Sequence, residues 1–108
     1  MLVEEQNIHK VHDSNHKISI TIACRNLVNL DIIGKSDPYA ILYIKPESKE
    51  KWERVGITDV EYDNLSPNFP KVFDVNYYFE RNQIIKIEIF DKDDNLIKMY
   101  GYELVSEE

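Results

Sequence analysis

The run Lys17 to Cys24, KISITIAC, puts Ile18, Ile20, Ile22 and Cys24 on one side of the chain and Lys17, Ser19, Thr21 and Ala23 on the other. A strict period of two fits a strand buried on one face, because successive side chains of an extended backbone point in opposite directions. Gln83 to Asp91 repeats the pattern: Ile85, Ile87 and Ile89 share a face, with Lys86, Glu88, Ile84 and Phe90 on the other. Between these runs lie YAILYIK at Tyr39 to Lys45, Lys51 to Val60 with Trp52, Val55 and Ile57, and Lys71 to Tyr78; Met99 to Val105 closes the series. Pro46-Glu47-Ser48 and Asn64-Leu65-Ser66-Pro67-Asn68-Phe69-Pro70 punctuate them as turns. No long stretch carries a helical period. Strands arriving about every ten to fifteen residues predict an all-β, antiparallel β-sandwich.

A chain of 108 residues supports one domain with one core. With 43% hydrophobic and 31% charged residues it is neither disordered nor membrane-embedded, and its longest apolar run, Tyr39 to Ile44, is far too short to cross a bilayer. Met1-Leu2-Val3-Glu4-Glu5 lacks the basic start and long apolar stretch of a secretory leader. Cys24 is the only cysteine, so no internal disulfide forms and a cytoplasmic setting is expected. It falls on the apolar face with no base beside it, which makes it a core thiol. His9, His12 and His16 lie among polar neighbours and read as solvated side chains of an N-terminal extension, residues 1–16, ahead of a domain spanning residues 17–108. The net charge of -7 argues against nucleic acid, which selects a basic surface, and against constitutive adhesion to anionic lipid. An acidic protein reaches such a membrane when a bound cation reverses the sign of the contacting surface.

The chemistry is concentrated in two loops. LVNLDIIGKSDPY, Leu27 to Tyr39, holds Asp31 and Asp37 between two apolar runs, with Gly34 between them and Pro38 closing the loop. Ile89-Phe90-Asp91-Lys92-Asp93-Asp94 ends a strand in a second acidic cluster. The expectation is that the two loops meet and that Asp31, Asp37, Asp91 and Asp93 form one cation site. Their hard oxygens, completed by carbonyls and water, match Ca²⁺, and no histidine or cysteine lies near enough to favour zinc. Close carboxylates repel by on the order of 4 kcal/mol per pair at about 4 Å and an effective dielectric near 20. Such a site is loose when empty, and a cation would switch it electrostatically. Aspartates are also common in loops for their turn-forming bonds, an account that weakens when two clusters sit at strand ends. No nucleophile is paired with a base, so an enzyme is not expected. Asp91 to Asn95 opens like an EF-hand, but Leu96 stands where that loop needs Gly and Tyr102 where it needs Glu, and a strand precedes it.

Arg25-Asn26-Leu27, Asp31, Gly34-Lys35-Ser36-Asp37-Pro38-Tyr39, Asn64-Leu65-Ser66-Pro67-Asn68-Phe69 and Phe90-Asp91-Lys92-Asp93 together resemble the C2 domain. CRNL, and YYFE at Tyr77 to Glu80, look like the first C2 domain of copines. The resemblance runs from about Lys17 to Val105 and implies a Greek-key sandwich that binds Ca²⁺ at one end and docks on phospholipid. It makes Asp31 and Asp37 first-loop ligands and Asp91 and Asp93 the third-loop pair. Where the family commonly adds a fifth aspartate this chain has Lys98, which cannot coordinate metal and is placed to pair with the remaining acids.

The expected partner is an anionic phospholipid membrane, reached from the cytoplasm on calcium binding, with Ile32, Ile33, Leu96 and Ile97 inserting at the loop tips; in the competing account they cap the core. The alternative function is a calcium-independent C2-type domain that binds protein. Lys45, Lys49, Lys51 and Arg54 lie where many C2 domains bind phosphoinositide, but Glu47, Glu50 and Glu53 alternate with them, giving a nearly neutral strand. The family has eight strands and about six or seven are countable here, so the last strand is expected to be missing. A single such domain in these residues leaves open a fragment of a longer copine-like chain or a short relative.

Overall fold

A computed structural model describes residues 15–30, 34–78 and 81–104. Six strands, β1 (Asn15–Ala23), β2 (Pro38–Pro46), β3 (Glu53–Ile57), β4 (Asn68–Tyr78), β5 (Gln83–Asp91) and β6 (Leu96–Leu104), form two antiparallel sheets. One sheet pairs β1 with β4; the other runs β3-β2-β5-β6. The chain is all-β among the described residues, and the expected sandwich is the observed one. Of the predicted N-terminal extension, residues 1–14 lie outside the description. β1 starts at Asn15, two residues ahead of the alternating run.

The period-two pattern does what it predicts. Ile18, Ile20 and Ile22 of β1 are buried with Phe69, Phe73, Val75 and Tyr77 of β4. They face Ala40, Leu42 and Ile44 of β2 and Ile85, Ile87 and Ile89 of β5. Cys24 is buried, and that burial raises its thiol pKa, as befits a packing residue. β2 and β5 pair over their whole length, from Pro38 opposite Asp91 to Pro46 opposite Gln83. At the far end Gln83 joins the sheets: its Oε1 accepts the Tyr78 N–H at 2.9 Å and its Nε2 donates to the Asn76 carbonyl at 3.1 Å.

β3 is shorter than Lys51 to Val60. Beyond Ile57 the chain stays beside β2, but its bonds skip: the Thr58 N–H reaches the Ala40 carbonyl and the Glu61 N–H the Pro38 carbonyl. Glycine at position 56 lets β3 close on the other sheet, since a Cβ there would lie 3.0 Å from the Phe73 ring. Gly56→Val is expected to destabilise the fold by about 1–3 kcal/mol through overpacking, measured by urea denaturation.

Candidate metal centre

The first and third loops meet because β2 and β5 are neighbours. Asp37 immediately precedes Pro38, and Pro38 is opposite Asp91. The Lys92 N–H donates to the Asp37 carbonyl at 2.9 Å, joining the two loops directly. Asp91 is almost wholly buried, at 1% exposure, and its Oδ1 accepts the Asp93 N–H at 3.1 Å. The Asp94 N–H donates to the Asp91 carbonyl at 2.7 Å, turning the chain so that Asp93 is exposed beside Asp91. Three of the four expected ligands thus share one end of the sandwich. Asp31, with Ile32 and Ile33, lies outside the described residues.

The two sequence words GKSDPY and NLSPNF build the loop frame. Gly34 takes a left-handed φ of 81°. Ser36 is fully buried; its Oγ accepts the Leu30 N–H at 2.8 Å and its carbonyl accepts the Asn64 N–H at 3.1 Å. Asn64 Oδ1 accepts the Ser66 N–H at 2.9 Å in an Asx-turn, and Ser66 Oγ accepts the Asn26 N–H at 3.0 Å. The Cys24 and Leu27 N–H groups donate to the carbonyls of Pro67 and Leu65. The second motif therefore anchors the loop that leaves β1, and the first anchors its return into β2.

Asp63, which the sequence reading passed over, links the frame to Asp37. Its N–H donates to Asp37 Oδ1 at 2.5 Å, and its own Oδ1 accepts the Lys35 N–H at 2.7 Å. Its place just ahead of Asn64-Leu65-Ser66-Pro67 was the available signal. Among the described residues Lys98 forms no ion pair; its ammonium lies 5.8 Å from the Tyr100 ring centroid. The cation beside Asp37 is Lys92, with Nζ 4.0 Å from Oδ2. Lys98 lies in strand β6 opposite Ile89, and any pairing of it with Asp31 falls outside the described residues. Leu96 and Ile97 are also the first residues of β6; Leu96 is 51% exposed, while Ile97 packs partly against the core.

The donor set is chemically suited to a hard cation. An ionised carboxylate offers about four lone-pair sites, and Asp37 and Asp91 each spend one on a backbone N–H. Among the described residues, however, no group of three or more His, Cys, Asp or Glu is gathered to hold a metal ion.

The sequence model of the C2 domain family matches residues 16–101. The chain belongs to the C2 domain family. Copine-D of Dictyostelium discoideum is 36% identical over 94 residues, covering 84% of this chain and 18% of that protein. Nicotinic receptor-associated protein 1 of Caenorhabditis elegans is 36% identical over 91 residues, covering 70% of this chain and 14% of that one. The C2 domain described here thus spans less than a fifth of the curated relatives it matches. Human GIVD cytosolic phospholipase A2, solved with methyl γ-linolenyl fluorophosphonate, superposes with a TM-score of 0.65 at 20% identity, over 82% of this chain and 13% of that one. BON1-C2B superposes with a TM-score of 0.53 at 23% identity, over 84% and 66% of the respective chains. These likenesses establish the fold, and a C2 domain is a binding module. Among the described residues no helix is long and apolar enough to cross a membrane.

Beside the acidic cluster, the Tyr39 hydroxyl donates to Asp94 Oδ1 at 2.6 Å while its ring stacks on Phe90. That bond, followed by burial, pushes the Tyr39 pKa up to about 12. The pairing therefore stabilises the fold fully below pH 10, the ordinary tyrosine value, and is lost as pH rises through about 12. In a 295 nm titration, Tyr39→Phe should remove a component with a midpoint near 12, and Asp94→Asn should move that component down toward 10.

Proposed function

We propose that this C2 domain binds anionic phospholipid in response to calcium, acting as a peripheral membrane module in the cytoplasm. The observation that carries this reading is the junction of Asp37 with Asp91, Lys92 and Asp93, through the β2–β5 ladder and the bond from the Lys92 N–H to the Asp37 carbonyl. Asp37, Asp91 and Asp93, with Asp31 from the same first loop, would hold Ca²⁺ through carboxylate oxygens. The ion would offset their repulsion and give this end of an acidic chain a surface that attracts lipid phosphate. A human GIVD cytosolic phospholipase A2 structure that includes terbium chloride, with the same fold, supports a hard-cation reading by analogy.

Leu96, exposed at the start of β6, would enter the headgroup layer, with Ile32 and Ile33 beside it. Its full burial would contribute roughly 1.5–3 kcal/mol. Ile97, half-covered by the core, contributes to the fold as well as to any contact. Liposomes containing phosphatidylserine should co-sediment the domain with calcium and release it with chelator. Asp37→Asn and Asp91→Asn should each abolish calcium-dependent pelleting, while Leu96→Ser weakens it at unchanged urea midpoint. Equal pelleting with and without calcium would refute the switch, and no pelleting would refute membrane docking.

A second reading, a calcium-independent protein-binding C2 domain, draws on the Lys92 ammonium beside Asp37. Calcium calorimetry separates the two: heat of binding from the wild type supports the first, and a silent titration supports the second.

A further inference from the structure

At the end of the sandwich away from the acidic loops, β3, β4 and the ends of β2 and β5 enclose a cleft of about 700 Å³. Strands β3 and β4 line it from the two sheets, and each has only one strand neighbour among the described residues. Gly56 against Phe73 draws the two sheets together beyond the cleft, and the Gln83 bonds to Tyr78 and Asn76 tie them at the base.

The lining is cationic. Lys45, Lys49, Lys51, Arg54 and Arg81 face the space against only Glu53 and Asp74, an excess of three positive charges in a chain of net charge -7. The sequence alternates Lys and Glu through this region, but folding leaves Glu47 and Glu50 outside the lining, where Glu47 accepts a bond from Asn82. None of the five cations forms an ion pair among the described residues. Aromatic rings hold two of them instead. The Lys45 ammonium is 5.1 Å from the Trp52 ring centroid, and the Arg81 guanidinium is 4.8 Å from that of Tyr78. A ring orients a cation without cancelling its charge.

We propose that this cleft docks an acidic, extended peptide segment of a partner protein. The edges of β3 and β4 offer backbone N–H and C=O groups to a chain laid between them. An extended peptide sends every second side chain the same way, so carboxylates at alternate positions meet the Lys and Arg side chains. The two strand edges favour a protein over a lipid, which has no backbone to pair with them. The cleft sits at the Pro46–Gln83 end of the ladder, roughly 26 Å from the Pro38–Asp91 end at about 3.3 Å per residue. That separation exceeds the Debye length of about 8 Å at physiological salt, so the acidic loops do not cancel the field of the cleft.

The test is fluorescence anisotropy on the whole chain with a fluorescein-labelled peptide of alternating Glu and Thr, and its Lys-Thr counterpart as control. The Glu peptide should bind, unaffected by chelator, and the Lys peptide should not. Arg54→Glu with Arg81→Glu should weaken binding about tenfold or more, and Lys51→Glu alone should weaken it measurably. All three residues are exposed, and circular dichroism checks that the variants fold. Absence of Glu-peptide binding, equal affinity in the charge-reversed variants, or binding only to vesicles containing phosphatidylinositol 4,5-bisphosphate would each overturn the proposal.

Discussion

The antiparallel ladder between β2 and β5 is the contact on which the rest of the molecule depends. It joins strands that are far apart in sequence and fixes Pro38 opposite Asp91, which brings the first and third loops together. Its register is strongly specified. A slip of one residue would turn Ala40, Leu42 and Ile44, or Ile85, Ile87 and Ile89, out of the core, because side chains alternate along each strand. The cost of exposing several buried aliphatic side chains far exceeds the repulsion among a few partly solvated carboxylates. Apolar packing therefore decides that the acids are neighbours, against their own electrostatics.

The same ladder separates two kinds of chemistry. At one end the loops carry Asp37, Asp91, Asp93 and Asp94, with the Lys92 ammonium beside Asp37. At the other end Lys45 and its neighbours line the space between the sheets. Net charge describes neither end. The exposed Lys92 pair at 4.0 Å is a weak tether, and cations held over aromatic rings keep their charge available for a ligand.

Much of the fold was legible because burial on one face writes itself directly into the sequence. Gln83 to Asp91 was delimited to the residue, and Cys24 was placed in the core from its position in the alternation alone. The misjudged boundaries have local causes. Pro70 suggested a turn, yet β4 begins at Asn68, since an edge strand tolerates a missing N–H on its outer side. Leu96 and Ile97 look like tip residues of the third loop, whereas they open β6. The meeting of the loops that carry Asp37 and Asp91 was legible from the acidic ends of two strand-like runs. The roles of Asp63, Lys92 and Tyr39 were not, because each depends on a contact between segments that only the fold brings together. The exclusion of Glu47 and Glu50 from the cleft lining was hidden for the same reason.

Asn26, Asp63 and Asp94 all hold left-handed backbone, with φ of 57°, 55° and 69°, and all three lie in the loops at the acidic end. Outside glycine this conformation costs roughly 1–2 kcal/mol per residue, somewhat less for Asn and Asp. The hydrogen bonds around Ser36, Asn64 and Ser66 hold that strain in place. On warming, this end should lose its shape before the strands separate, a local melting step confined to the loops that carry the strained residues.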